Sequence, residues 1–275
     1  MTTRHLLLTN DDGVDSPALL PFAAALDRLG EVAVVVPDRE RSWIGKAITR
    51  QDEILLTAVE REGRAVHTTT GYPADATQLG ITVVTDPDVV VSGINLGHNH
   101  GVGFMMSSGT VGAAVEGWIS GRTAVAFSTG LWGGDYAAWR DWCETPDARP
   151  AWERLAETCA QVLEDVLASG ITDHADVVSV NLPFDATSAT PRRVTSLARV
   201  GYAGLFRPDG GGYRHRFSEL VEFGPLDGTD VEAARHGAVS ITPLLMPAAA
   251  AIPDDLVRSL TDGPTLQPTR PETAT

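Results

Sequence analysis

Cysteine is scarce in this sequence, and long apolar runs are missing. The 275 residues include two cysteines, Cys143 and Cys159, with no second pair nearby, so neither a disulfide framework nor a thiolate metal site is predicted. Near the N-terminus only three apolar residues follow one another, at 6–8, which is too short for a signal peptide or a membrane-spanning helix. We therefore expect a cytoplasmic protein that does not insert into membranes.

Positive charge is also in short supply. The sequence has 21 Lys and Arg residues against 36 Asp and Glu residues, which gives a formal net charge of −15. Binding to a nucleic acid polymer relies on clustered basic side chains that neutralise phosphates. A polymeric nucleic acid partner is therefore not expected. A small anionic substrate is still compatible with this charge, provided that a metal ion and local hydrogen-bond donors offset the repulsion.

Motifs of three enzyme classes are missing. The segment NDDGVDS, which follows the first apolar run, has one glycine and not the G-x-G-x-x-G pattern of dinucleotide-dependent oxidoreductases. No G-x-S-x-G elbow occurs, which argues against a serine hydrolase. Asp11 and Asp12 are adjacent, whereas phosphatases that form an aspartyl phosphate normally have one residue between their two aspartates.

What the sequence does contain is an alternation of short apolar runs with helical patterns. Strands are predicted at residues 6–8, 32–36, 89–92, 124–128 and 177–181. Helices are predicted at 16–29, with Ser16 as N-cap and Pro17 in the first turn, and at 73–79, 110–119 and 155–167. Residues 48–70 indicate a hairpin at the sheet edge. This order predicts an α/β fold with a doubly wound, mostly parallel sheet.

The second half of the chain has weaker patterns. Residues 132–152 are predicted to form a loop containing four tryptophans, and residues 190–246 a β-rich region with an exposed turn at 210–212. We expect one α/β domain over residues 1–262, with its chemistry in 1–130. Residues 263–275, rich in Pro and Thr, are predicted to be a disordered tail.

Three of the apolar runs end in polar clusters, which contain Asp11 and Asp12, then Ser42, then Asn95. The carboxyl ends of parallel strands form the ligand crevice of a doubly wound sheet, so these clusters are expected to converge. Both aspartates can reach one site only if the chain bends, and Gly13 would allow that bend. Two carboxylates with a hydroxyl and an amide oxygen favour Mg²⁺, Mn²⁺ or Ca²⁺ over zinc. The alternative is that Asp-Asp-Gly is simply a turn.

A second candidate element is the helix start at Ser108, Gly109 and Thr110. Small residues leave backbone N–H groups open to an anion at the positive end of a helix, with Ser108 as the N-cap. The alternative interpretation is close packing of the helix on the sheet through Gly109 and Gly112, and the two are compatible.

Four further residues are candidates for substrate contact, each with a plainer alternative. His98 and His100 follow Asn95 and could donate a proton to a leaving oxygen, although solvated loop histidines are the commoner case. Trp43 could stack on a base or sugar, or fill a subunit contact. Lys46 could attract phosphate, or simply be solvated.

Taken in order, the segments TNDDGVDSPAL, VVVPDRERS, GYPADATQLGI, PDVVVSGINLGHNHG and SSGTVGAAVEG resemble the SurE family of 5′/3′-nucleotidases. The resemblance implies a Rossmann-like α/β domain and a divalent-metal-dependent phosphomonoesterase, with one Mg²⁺ or Mn²⁺ per subunit. It also implies a homodimer or homotetramer completed by a C-terminal extended segment. By motif, the metal ligands fall on Asp11, Asp12, Ser42 and Asn95.

We place Asp11, Asp12 and Asn95 in catalysis. Asp11 is the better candidate for orienting the attacking water, because a carboxylate at a strand end can both bind a metal and accept a proton, but no motif distinguishes the two aspartates. Asn10, Asn99 and the turn formed by Ser108, Gly109 and Thr110 would border the phosphate.

This chain departs from the family in the loops around those motifs. Glu40 replaces the asparagine of PDRNRSG, Trp43 and Ile44 follow Ser42, and Tyr72 and Ser107 replace a threonine and an aromatic residue. The metal ligands are intact while the substrate loops differ. Two alternatives to a nucleotidase therefore stay open: a specialised phosphatase for a modified sugar or nucleotide phosphate, and a binding protein that has lost turnover.

Overall fold

The apolar runs form the middle of a mostly parallel sheet in the computed structural model, which describes residues 3–217, 219–247 and 253. The strands are β1 (His5–Thr9), β2 (Glu31–Pro37), β3 (Leu56–Arg61), β4 (Arg64–Thr69), β5 (Val89–Leu96), β6 (Thr123–Gly130), β7 (Val177–Pro183), β8 (Arg192–Val194), β9 (Val200–Tyr202), β10 (Phe206–Asp209), β11 (Gly212–His215), β12 (Leu220–Glu222) and β13 (Val239–Leu244). Nine of them form one sheet in the order β3-β4-β2-β1-β5-β6-β7-β13-β8. From β4 to β7 every neighbouring pair is parallel.

Helices cover both faces of this sheet. They are α1 (Leu19–Leu26), α2 (Pro73–Leu79), α3 (Gly101–Ser107), α4 (Gly109–Ile119), α5 (Tyr136–Cys143), α6 (Arg149–Ser169) and α7 (Asp230–Arg235). Leu6 and Leu8 pack in the same core as Phe22 of α1, whereas Leu7 packs in a second core with Ala76 of α2. Successive side chains of a strand point to opposite faces, so the sheet is buried on both sides. The predicted α/β class is confirmed.

The predicted edge hairpin is present. β3 pairs antiparallel with β4, with Arg61 opposite Arg64, and β3 is the outer strand of the sheet. Glu62 and Gly63 between them both have positive φ angles, 51° and 78°, as expected for a two-residue turn whose twist matches the strands.

The start of the first helix was predicted too early. The helix begins at Leu19 with Ala18 at the N-cap position, and not at Ser16 and Pro17. The carbonyl of Ser16 accepts a hydrogen bond from Leu19 N at 3.1 Å, so these residues belong to a turn that precedes the helix.

The prediction of a loop over residues 132–152 was wrong, because the segment contains α5. The side chain of Asp135 accepts a hydrogen bond from Ala138 N at 3.0 Å and caps the helix. Trp139 and Trp142 pack edge-on against Phe184, with ring centroids 5.5 and 5.8 Å away. These two tryptophans and the buried Cys143 have the spacing of one helix face, a signal that the loop prediction overlooked.

Residues 190–246 are rich in short strands, with a helix that the sequence interpretation missed. β10 and β11 form an exposed hairpin around Gly210 and Gly211, β9 pairs with β12, and α7 begins where Thr229 accepts a hydrogen bond from Glu232 N. The oligomerisation role of this region stays a prediction. Residues 263–275, predicted to be disordered, lie outside the described residues, as do 248–252 and 254–262. None of the helices in the described ranges is long and apolar enough to cross a membrane.

Candidate active site

Loops at the carboxyl ends of parallel strands border a pocket of about 700 Å³. Asp11 follows β1, Ser42 lies in the loop after β2, and Asn95 lies near the end of β5. All three line this pocket. The carboxylate of Asp12 lies next to them, because its Oδ2 accepts a hydrogen bond from Leu96 N at 3.0 Å. Side chains from distant parts of the chain thus meet at one edge of the sheet.

A tight turn at Gly13 directs both aspartates to this edge. Gly13 has a φ of 86°, and a Cβ there would lie 2.6 Å from the carbonyl carbon of Arg39, so only glycine fits. Asn10 closes the turn with two 3.0 Å hydrogen bonds to the backbone of Gly13. The expectation that Asn10 borders the phosphate is therefore not supported. Asn10 is buried, is absent from the pocket lining, and both ends of its amide are engaged in the turn.

Asp11 is held from the side by the start of α4. The hydroxyl of Thr110 donates a hydrogen bond to its Oδ1 at 2.5 Å, and a Cβ on Gly109 would lie 2.8 Å from its Oδ2. Ser108 caps the helix by accepting a hydrogen bond from Val111 N at 3.1 Å, and Ser108 lines the pocket. Within the predicted phosphate turn, Gly109 and Thr110 thus act on Asp11, while Ser108 faces the pocket.

The two aspartates crowd negative charge into a buried place. Burial raises the pKa of Asp11 to about 6, against the hydrogen bonds from Thr110. Burial and the neighbouring charge of Asp11 raise the pKa of Asp12 to about 8. The negative charge of Glu40, which also lines the pocket, contributes to both of these raised pKa values. A cation placed among these groups would relieve the repulsion.

Helix α5 brings a guanidinium to the pocket that the sequence interpretation missed. Arg140 lines the pocket and donates a hydrogen bond to Glu40 Oε1 at 3.1 Å. The hydroxyl of Ser42 donates to the same carboxylate oxygen at 2.8 Å. Tyr136 of α5 also lines the pocket. The helix-face spacing in residues 139–143 could have indicated α5, but nothing in the sequence pattern placed Arg140 at this pocket.

His98 and His100 are packed side chains and not the solvated loop residues that their motif makes commoner. Their rings stack with centroids 4.2 Å apart, and both line the pocket. Burial lowers the pKa of His98 to about 4 and that of His100 well below its usual value. Both imidazoles are therefore neutral near pH 7.

The remaining candidates divide between the pocket and its surroundings. Asn99 lines the pocket and donates to Ser128 Oγ at 2.8 Å. Trp43 lines it too, with its ring 4.6 Å from that of His215. Lys46 instead pairs with the buried carboxylate of Glu116 and is absent from the lining. The expectation that Lys46 contacts substrate is therefore not supported, because its charge is already engaged.

Comparison with known proteins gives a consistent match over most of the chain. The sequence model of the family described as survival protein SurE matches residues 6–204. The 5′-nucleotidase SurE of Methanothrix thermoacetophila is 32% identical over 261 residues, which cover 90% of this chain and 95% of that protein. The 5′-nucleotidase SurE of Methanoculleus marisnigri is 35% identical over 265 residues, which cover 94% and 97%. The crystal structure of the SurE protein from Aquifex aeolicus has a TM-score of 0.73 at 30% identity and covers 94% of this chain and 100% of that one.

Proposed function

Since this chain belongs to the SurE family, we propose that it is a phosphatase that hydrolyses nucleoside 5′-monophosphates with the help of a divalent cation. The observation that carries the proposal is the pocket bordered by Asp11, Ser42 and Asn95, with Asp12 held beside them. We include nucleoside 3′-monophosphates among the proposed substrates because of the motif resemblance to 5′/3′-nucleotidases described above.

The oxygen atoms around this pocket suit one Mg²⁺ or Mn²⁺ ion per subunit. Asp11 and Asp12 would supply carboxylate oxygens, Ser42 its hydroxyl and Asn95 its amide oxygen. Support comes from the raised pKa values of the two aspartates, because buried neighbouring carboxylates repel each other unless a cation lies between them. The described residues contain no group of three or more His, Cys, Asp or Glu side chains that could hold a metal, so the neutral oxygens of Ser42 and Asn95 are needed. When bound, such a cation neutralises phosphate charge and makes a water molecule more acidic.

The residues of the chain would position the reacting groups, which is most of what phosphoryl transfer requires. Thr110 donates a hydrogen bond to Oδ1 of Asp11, so Oδ2 is the oxygen through which Asp11 would contact the cation and orient the attacking water by accepting its hydrogen bond. Ser108 and Asn99 line the pocket and would donate hydrogen bonds to the phosphate. Neutral His98 and His100 cannot act as imidazolium acids near pH 7, so the leaving oxygen would take its proton from water.

The loop departures favour a second candidate within the same chemistry, a phosphatase specialised for a modified sugar or nucleotide phosphate. Glu40 pairs with Arg140 of α5 at the pocket edge. Trp43, with a φ of 59°, packs against Phe104 and Tyr202 at 5.7 Å. These contacts form a side of the pocket that would receive the rest of the substrate.

Phosphate release measured across a panel tests the proposal. The purified protein would be incubated with nucleoside 5′- and 3′-monophosphates, sugar phosphates and p-nitrophenyl phosphate, with Mg²⁺ or Mn²⁺ or with a chelator. We expect turnover that depends on added metal, and the substrate with the highest kcat/KM decides between the two candidates. Absence of metal-dependent turnover over the whole panel would contradict the proposal and favour a non-catalytic binding protein.

A further inference from the structure

A second pocket of about 380 Å³ adjoins the catalytic pocket. Both pockets are lined by His98, Leu131 and Trp132. The second is completed by residues at the carboxyl ends of β6 and β7, among them Gly130 and Asn181, and by residues at the end of α7 and directly after it. It therefore lies at the edge of the sheet where ligands bind in this class of fold.

Three buried polar atoms at this second pocket have no hydrogen-bond partner within the described part of the chain. They are Nδ2 of Asn181, Nε1 of Trp139 and Nδ1 of His98. Asn181 is 2% exposed, and its Oδ1 accepts a hydrogen bond from Asn99 N at 2.8 Å, which fixes the amide with the unpartnered nitrogen on the other side. An unpaired buried donor costs ~1–3 kcal/mol, and buried polar groups in native proteins are nearly always paired.

The unpartnered atoms include both donors and a possible acceptor, which indicates what kind of ligand could form hydrogen bonds with them. Asn181 and Trp139 offer N–H donors, while the neutral ring of His98 can donate or accept. Arg235 and Asp185 also line the pocket. The guanidinium of Arg235 already pairs with a carboxylate of β12, so the carboxylate of Asp185 is an acceptor that would repel a second phosphate. Hydroxyl groups both donate and accept, so a polyhydroxylated ligand satisfies the whole set.

The size and shape of the second pocket indicate which kind of polyhydroxylated ligand fits it. A volume of about 380 Å³ is near the lower end of ligand pockets, which span roughly 300–1,000 Å³, and suits one small ring better than a complete nucleoside. The guanidinium of Arg235 lies over the ring of Trp132, 5.4 Å from its centroid, so Trp139 is the ring of the lining against which the C–H face of a sugar can pack.

We propose that this second pocket binds the sugar of the substrate while the phosphate lies in the catalytic pocket, with Asn181, Trp139 and His98 as its polar contacts. The inference rests on the proposed phosphatase function and deepens it, because it makes the sugar the recognised part of the phosphate ester.

The substitution Trp139→Phe tests the proposal, since it removes the N–H and keeps a ring against Phe184. The matched control is Trp142→Phe: Trp142 lies on the same helix and packs on the same Phe184 but does not line the second pocket. We expect the ratio of kcat/KM for ribose 5-phosphate to kcat/KM for p-nitrophenyl phosphate to fall about tenfold in Trp139→Phe, a loss of about 1.4 kcal/mol of selectivity. The ratio should not change in Trp142→Phe.

Binding of free ribose, followed by saturation-transfer NMR, separates this proposal from the phosphatase function because it needs neither metal nor turnover. We expect a ribose signal with the wild-type protein and with Trp142→Phe, and its loss in Trp139→Phe. A protein without phosphatase activity that still gives this pattern would refute the function and keep the sugar site. No ribose signal with the wild type, or an unchanged selectivity ratio in Trp139→Phe, would overturn the sugar site and assign the unpartnered atoms to water.

Discussion

At the scale of single residues, the adjacent aspartates have different surroundings despite sharing one turn. Asp11 is bound by a hydroxyl from α4, whereas Asp12 is bound by a backbone N–H at the end of β5. Each carboxylate is therefore oriented by a different neighbouring element. Conservative replacement of either one should remove a charge without disturbing the turn that Asn10 and Gly13 maintain.

The first prediction concerns Asp12. Asp12→Asn keeps the size of the side chain and removes one of the two carboxylates proposed to hold the cation. We expect kcat for a phosphate monoester to fall at least about 100-fold, a loss of roughly 2.7 kcal/mol in transition-state stabilisation. Steady-state kinetics at saturating Mn²⁺ would measure this. A near-normal rate would exclude Asp12 from the metal site.

The second prediction concerns the charge pair formed by Arg140 and Glu40. A phosphate entering a pocket lined by Asp11 and Glu40 needs a positive group, and Arg140 provides one. Arg140→Gln should raise KM about tenfold, whereas Glu40→Gln should lower KM because it releases Arg140 and removes a negative charge. Arg149→Gln is the matched control, since Arg149 pairs with Glu62 and lies outside the pocket lining. Equal KM values in Arg140→Gln and the control would refute this role.

At the scale of elements, the site depends on how closely helix α4 approaches β1. Gly109 begins the helix within contact of Asp11, and Gly112 packs on Gly45, where a Cβ would lie 2.5 Å from the carbonyl oxygen. Both interpretations of the small-residue helix start, anion site and close packing, thus describe the same contact. The packing of the helix fixes the position of the carboxylate.

The third prediction uses Gly109→Ala to test whether the close contact between helix α4 and Asp11 positions the carboxylate. Alanine favours helix over glycine by up to about 1 kcal/mol, so a purely local effect would leave stability unchanged or higher. The added Cβ would lie 2.8 Å from Asp11 Oδ2 and must displace the carboxylate. We expect at least a tenfold loss of kcat with a small change in Tm. Gly204→Ala serves as control because a Cβ there has nothing within 4 Å; comparable activity loss in both variants would count against the contact.

At the scale of the whole molecule, the buried carboxylates of Asp11 and Asp12 make the stability of the fold depend on pH and on metal binding. Their pKa values are raised in the folded state, so between about pH 4 and pH 8 the folded protein holds protons that the unfolded chain has released. Stability from these groups is present at low pH and is lost as pH rises through their folded pKa values.

The fourth prediction follows from that linkage. In chelator, the wild type should lose Tm relative to Asp12→Asn as pH increases from about 4 to 8. Added Mg²⁺ or Mn²⁺ should stabilise the wild type more at pH 8 than at pH 5, because protons compete with the cation. Thermal melts of both proteins across this pH range would measure the difference, and parallel pH profiles would contradict it.

The fifth prediction concerns subunit association, which we expect to give a homodimer or homotetramer. The β10–β11 hairpin exposes Phe206 by 61% and Tyr213 by 76%, and exposed aromatic residues are common at interfaces. Phe206→Ser combined with Tyr213→Ser should lower the molar mass measured by light scattering after gel filtration. Val83→Ser, at a residue 65% exposed elsewhere, is the control. A monomeric wild type, or an oligomer unaffected by the double substitution, would refute this assignment.

The fold class and the loops that carry the chemistry follow from the sequence alone. Buried strands of β-branched and leucine residues alternate with helices, and in a parallel sheet the loop after each strand reaches the same edge. That rule is enough to place Asp11, Ser42 and Asn95 at one edge of the sheet.

Which groups are available at that edge depends on tertiary contacts. Arg140 reaches the pocket because tryptophans of α5 pack on Phe184, Lys46 is occupied by Glu116, and the two histidines are neutral because they are buried against each other. Each of these outcomes depends on contacts between residues far apart in the chain. Local periodicity and motif spacing carry no information on such contacts, since the electrostatic environment of a side chain is set by whatever packs around it.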